Sequence, residues 1–342
     1  MVKHYCYVTV KGGSHFPELI TKEVAKPGSY QWYRAFDSYP NWTGEVREVG
    51  SLARDDFEAF DIVHLTLAGV HTGIIQNIRK ILGENSSTLL ILSTDYTFEN
   101  FEAGFNSPLD MHMAARCADL IFAQEPMQLG LYQYIVKEYM KKTWTVPLIP
   151  HPVDTEGIKA MYVKPDQRLD MAVYCYHKYE QHISVPSMLL DGLGIPSLIV
   201  GYLDVEALRV GRGAGKSLPA GYFNFNAGWL DWKTYIYMLK HCTIGLDYWT
   251  IHSYSRFPQE LACLGIPAVC SNHGYSGTLL YPETSHSPYD LPALRASLEK
   301  LVKDEEFWKK TADYAFEKVE SMNYKNSVEN LLKALEDRGF KV

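Results

Sequence analysis

Short apolar runs separated by segments of helical period recur along the whole chain, and that alternation admits few architectures. In the first half, residues 4–10, 61–67, 88–93, 119–123 and 146–149 read as strands, with amphipathic stretches at 72–82 and 111–118. Strands this uniformly apolar are covered on both faces, and strand followed by helix, repeated, builds a parallel sheet between helical layers. The series restarts after Pro150, Pro152 and Pro165. Strands are then expected at 171–174, 197–200, 243–246 and 268–270, and helices at 232–240 and 292–302. At 342 residues the chain exceeds what one core ordinarily supports. Two doubly wound α/β domains are therefore expected, one over residues 1–155 and one over 156–324. Strong helix formers fill 305–335, and Asn323-Tyr324 divides them into two helices.

The composition excludes some classes of function. A formal net charge of −7 gives no general attraction for nucleic acid or an anionic membrane, although a local basic patch is compatible with it. The six cysteines are scattered, with no C-x-x-C pair, and most lie in or beside apolar runs, as expected of free thiols in a reducing compartment. No apolar run approaches the roughly 18 residues needed to cross a bilayer. A soluble, cytoplasmic protein is expected, with peripheral membrane contact left open. VGRGAGKSLP (210–219) lacks the first glycine of a phosphate-binding loop, since that position is Val210, and Pro219 stands where a helix should follow.

Ligands of open parallel sheets bind outside the carboxyl ends of the strands, at a switch in strand order. That places interest on HSYSRFPQELACLGIPAVCSN (252–272), which reads as a loop, a short helix opened by Pro258 and closed by Gly265, and a buried strand. Glu260 lies in the first turn of that helix. A carboxylate there complements the helix dipole by about 0.3–1 kcal/mol.

The stretch resembles the donor-binding signature of GT-B glycosyltransferases, in particular retaining family 4. Glu260 matches the second of that family's two glutamates, with Ala262, Gly265, Pro267 and Ser271 on the pattern that follows. His252 stands where the first belongs. IPHPVD (149–154), DIVHLTL (61–67), ADLIFAQ (118–124), LIVGYLD (198–204) and the two closing helices resemble further landmarks of the family, in the same order. The resemblance implies two Rossmann-like domains facing across a cleft, with the helix at 325–342 crossing back onto the first. It implies transfer of a sugar from a UDP- or GDP-sugar to an unidentified acceptor hydroxyl, on a glycan, lipid, small molecule or modified base. Retention at the anomeric carbon and no required metal or cofactor also follow from it.

Site residues follow residue by residue. Glu260 is expected on the ribose. Tyr275, Ser276, Gly277 and Thr278, if they open a helical turn, offer backbone N–H groups to the sugar or diphosphate; an ordinary turn is the alternative. In place of the family's Arg/Lys diphosphate clamp, YCYHKYEQHIS (174–184) offers Lys178, with His177 and His182 as lesser candidates. Arg209, Arg212 and Lys216 form a basic loop that can supply the same charge or lie solvated. Asp95, at the end of LLILSTDYTF (89–98), suits a general base for an inverting displacement, an acceptor-orienting group or a cap. His252 suits a sugar hydroxyl or a phosphate. Gly12, Gly13, Arg34 and His71 are acceptor-side or phosphate-loop candidates. Two other readings stand beside transfer: a catalytically silent GT-B-like protein that binds a nucleotide or sugar, suggested by His252 and the altered clamp, and a transferase acting on DNA bases.

Overall fold

The computed structural model describes residues 2–9, 31–48, 54–66, 72–84, 86–93, 113–176, 184–201, 225–227, 230 and 232–342. The first half contains β1 (Lys3–Thr9), α1 (Gln31–Asp37), β2 (Trp42–Glu48), α2 (Arg54–Glu58), β3 (Ile62–Thr66), α3 (Thr72–Leu82), β4 (Leu89–Ser93), β5 (Leu120–Ile121), α4 (Pro126–Tyr134) and α5 (Thr155–Lys159). The second contains β6 (Ala172–Tyr176), α6 (Ser184–Leu190), β7 (Ser197–Gly201), β8 (Phe225–Asn226), α7 (Trp232–Leu239), β9 (Ile244–Asp247) and α8 (Phe257–Cys263). These are followed by β10 (Ala268–Ser271), α9 (Tyr275–Leu280), β11 (Ser285–His286), α10 (Leu291–Lys303), α11 (Glu305–Lys318) and α12 (Tyr324–Glu336).

The strands form two wholly parallel sheets, of order β2-β1-β3-β4-β5 and β11-β10-β9-β6-β7-β8. Strand order reverses between β1 and β3 in the first sheet and between β6 and β9 in the second, which are the crevices where such sheets hold ligands. Side-chain alternation divides each sheet between two cores. Cys6, Val8, Val63, Leu65, Leu90 and Leu92 pack toward α3 and α4, while Tyr5, Tyr7, Ile62, Leu89 and Ile91 pack toward α1. In the second sheet Val173, Cys175, Leu198 and Val200 meet α7 and α8, and Ala172, Tyr174, Ile199 and Leu246 meet α6 and α10.

Val328, Leu331 and Leu335 of α12 are fully buried in the core of the first sheet, beside Trp32 and Phe36. Burying each contributes about 1.5–3 kcal/mol. The two chain segments that pass between the sheets run side by side: Val153 N–H donates to the Met322 carbonyl at 2.9 Å, and Asn323 caps α12. Lys159 Nζ reaches Glu320 Oε1 at 2.5 Å, and Thr155 Oγ1 reaches Glu320 Oε2 at 3.2 Å.

The expected strand at 146–149 is corrected to a single parallel bridge between Ala123 and Leu148. Pro147 and Pro150 lack the N–H donors that a ladder needs there. β2, β8 and β11 are strands not expected from the pattern. Among the described residues, no helix is long and apolar enough to cross a membrane.

Candidate functional site

Every residue of α8 is buried, Glu260 included. Pro258 in the first turn lacks an N–H that the helix start would leave unpaired, and Gly265 ends the segment at φ +62, a conformation open to glycine. Glu260 Oε2 accepts the Tyr235 hydroxyl at 2.6 Å, and Oε1 accepts Arg256 Nη2 at 3.2 Å. Burial first, and then the Glu260 charge, push the Tyr235 phenol well above its ordinary pKa, so it remains a donor. Glu260 is therefore a buried, oriented carboxylate rather than a solvated cap.

The loop carrying His252 is zipped to the start of α9. Ser253 N–H donates to the His273 carbonyl at 2.9 Å, Tyr275 N–H to Ser253 at 2.9 Å, and Ser276 N–H to Tyr254 at 3.0 Å. This register stacks the His252 ring on His273, with centroids 4.1 Å apart and planes at 21°. His273 Nδ1 lies 2.9 Å from the Thr250 carbonyl oxygen, which can only accept; Nδ1 therefore carries the proton. Asp247, at the carboxyl end of β9 and fully buried, holds the loop from below. Its Oδ1 accepts Trp249 Nε1 and Ser255 Oγ, each at 3.0 Å. Ser255 sits at φ +49, an uncommon conformation for a residue with a β-carbon, and its carbonyl accepts the Ser276 hydroxyl.

Residues 275–278 do open a helical turn, with Gly274 as its cap. The amides of Tyr275 and Ser276, however, serve the 253–254 carbonyls, and Thr278 N–H serves Gly274 at 3.1 Å. A β-carbon at Gly277 would lie 2.7 Å from the Cys270 β-carbon, so close packing requires glycine there. Tyr275 is half-buried. Burial, and then the negative charge of Glu125 at the start of α4, raise its pKa. The charge of Glu125, in the first half of the chain, thus reaches Tyr275 in the second.

In the first sheet, Arg34 Nε donates to the Tyr33 hydroxyl at 3.2 Å and hydrogen-bonds Tyr324, whose own hydroxyl donates to Gln31 at 2.5 Å. Arg34 therefore joins α1 to α12. His64, fully buried in β3, bridges the Tyr5 hydroxyl at 2.5 Å and Ser93 Oγ at 2.7 Å, at the end of β4. Gly12, Gly13, His71, Asp95, His177, Lys178, His182, Arg209, Arg212 and Lys216 lie outside the described residues.

Sequence reasoning did not single out Asp247, Tyr235, His273 or His64. Asp247 did carry a signal, an acid closing the apolar run TIGLD at a strand's carboxyl end.

No protein-family model matches the chain, and no curated protein matches it by sequence. Solved structures do. A UDP-forming α,α-trehalose-phosphate synthase from Burkholderia xenovorans aligns with a TM-score of 0.68 at 10% identity, covering 100% of each chain. An α-glucosyltransferase in complex with UDP-glucose and DNA containing an abasic site aligns at 0.66 and 11% identity, covering 98% of this chain and 100% of its own. Sucrose-phosphate synthase from Thermosynechococcus elongatus aligns at 0.63 and 13%, covering 98% of both. Two parallel sheets in the same arrangement, matched almost end to end, give this chain the GT-B fold of two Rossmann-like units.

Proposed function

We propose that this chain is a glycosyltransferase that moves a sugar from a nucleotide diphosphate sugar, UDP-linked by preference, to an acceptor hydroxyl. The observation that carries the reading is Glu260. Tyr235 and Arg256 hold its carboxylate in a fixed plane. A buried carboxylate so oriented suits the vicinal hydroxyls of a ribose, and its helix follows β9, the strand that borders the second switch point. The whole-chain likeness to enzymes whose names include UDP-glucose or a UDP-forming reaction supports the choice of donor.

On this reading residues 1–155, joined by 325–342, form the acceptor side and 156–324 the donor side. Lys178 and the loop bearing Arg209, Arg212 and Lys216 supply positive charge to the departing diphosphate. His252, held against His273, faces the donor sugar, and Asp95 serves the acceptor. Retention and independence of metal belong to the same proposal. Nucleoside diphosphate release from UDP-glucose, other UDP-sugars and GDP-sugars, each with EDTA present, tests it. Release from at least one donor is expected; release from none, with water or an acceptor, supports the silent binding protein instead.

For the acceptor, α-glucosyltransferase structures with UDP and a 13-mer DNA containing an HMU base, also matched over 98% of this chain, favour including such a DNA beside sugar phosphates. Labelled sugar appearing in the DNA identifies a DNA transferase.

A further inference from the structure

The exposed side of α4 and the segment after it gather tyrosines, a methionine and lysines on one surface of this acidic chain. Residues 135–139 continue α4 as a widened turn, in which Met140 N–H donates to the Ile135 carbonyl five residues back, at 3.1 Å. Such turns are rare and bring residues five apart nearly over one another. Here they stack Tyr134 against Tyr139, edge to face, with centroids 5.8 Å apart. Both rings are outside the core, 56% and 45% exposed, and Met127, earlier on the same helix, is 40% exposed.

Lysines frame this apolar pair. Lys137 and Lys141 have side chains 75% and 74% exposed, and Lys142 is exposed beside them. Against these three stands one acid, Glu138, 3.8 Å from both Lys137 and Lys141. Lys141 occupies φ +53, the helix-ending conformation where glycine is usual. The segment is fixed in place. Gln133 Nε2 donates to the Trp144 carbonyl at 3.2 Å, Val146 N–H donates to Gln133 Oε1 at 2.9 Å, and the Arg338 guanidinium covers the Trp144 ring at 3.7 Å. The lysines and tyrosines are thus presented on a defined surface.

We propose that this surface docks the protein on an anionic phospholipid bilayer. Tyrosine and methionine side chains enter the headgroup region, where amphipathic rings are favoured, while the lysines meet lipid phosphates. Screening within a Debye length of about 8–10 Å keeps the acidic remainder of the chain from cancelling a patch this compact. Duplex nucleic acid is the competing polyanion. The patch holds no arginine to fork onto phosphates, and two exposed tyrosines with a methionine suit a headgroup layer better than a duplex backbone. The proposal is independent of the transfer reaction.

Cosedimentation of the full chain with vesicles tests it, comparing phosphatidylcholine alone with phosphatidylcholine mixed with phosphatidylglycerol. Binding is expected only to the anionic vesicles and should fall with added salt. One lysine near such a surface changes partitioning about fivefold. The triple variant K137E/K141E/K142E should therefore bind about 100-fold or more weakly, and Y134S/Y139S should bind more weakly than wild type with its salt dependence retained. These side chains are exposed, and an unchanged thermal midpoint confirms folding. Wild-type protein remaining in the supernatant, triple-variant binding equal to wild type, or capture of duplex DNA through these lysines without vesicle binding would each overturn the proposal.

Discussion

The side-chain amide of Gln259 donates to the backbone carbonyl of His151 at 3.0 Å, tying the helix that carries Glu260 to the segment between the sheets. The same nitrogen lies 2.7 Å from the Tyr254 hydroxyl and 3.2 Å from Met322 Sδ, so both crossing segments meet at one buried amide. Replacing Gln259 with Leu removes this hydrogen bond while the Tyr254 hydroxyl, 3.4 Å from the same carbonyl, remains, a loss of about 0.5–1.5 kcal/mol. Urea denaturation should show the lower midpoint; an unchanged midpoint would mean that the crossing is held elsewhere.

Asp247 plays a comparable part beneath the His252 loop. Asp247→Ala removes the acceptor of Trp249 Nε1 and Ser255 Oγ together, and about 3 kcal/mol of stability is expected to go with it. Asp247→Asn keeps one oxygen and should lose less. Equal stability of the Ala variant and wild type would contradict this assignment.

The pH dependence has a definite sign at Glu320. Burial alone would raise its carboxyl, but hydrogen bonds from Lys159, Asn323 and Thr155 outweigh it and hold the pKa below the ordinary value. A lowered folded-state pKa contributes stability above the unfolded value and loses it as pH falls through the folded one. Glu320→Gln should therefore reduce stability at neutral pH and shrink the drop on acidification. The side chain is 45% exposed, so solvent keeps the effect small. Denaturation midpoints at neutral and acid pH, in both proteins, measure it; a larger acid drop in the variant would reverse the sign.

Thiol reactivity should separate the six cysteines. Burial pushes Cys6 and Cys242 up to about 12 and holds Cys263 and Cys270 well above the ordinary thiol value, leaving little thiolate at neutral pH. Cys117 is half-buried and its thiol is raised less. Alkylation followed by mass spectrometry should label Cys117 before these four in the native state. Labelling of Cys263 or Cys270 first would contradict the packing described around α8.

Much of the fold was legible because strands buried on both faces read as apolar runs. LLILS, DIVHLTL and TIGLD declare themselves. β2 did not, because WTGEVRE is an edge strand whose exposed positions are polar, and β8 and β11 are two residues each. The run at 146–149 misled for the opposite reason, since apolar content there is not matched by hydrogen-bond donors. At the candidate site, Glu260 was singled out through its motif. Tyr235, which orients it, was not, because twenty-five residues separate two side chains that only the fold brings together. His273 was hidden in the same way, its position set by the pairing of Ser253 with Gly274.

The central claim is tested most directly by calorimetric titration of UDP into wild-type protein and Glu260→Gln, with the thermal midpoint of each recorded beforehand. Saturable binding by wild type is predicted, weakened about tenfold or more in a folded Glu260→Gln variant through loss of charge-assisted hydrogen bonds to the ribose. Equal affinity of both proteins would remove Glu260 from the ribose. Absence of binding by wild type to UDP and to every other nucleoside diphosphate would contradict the assignment of a nucleotide-sugar site to this fold.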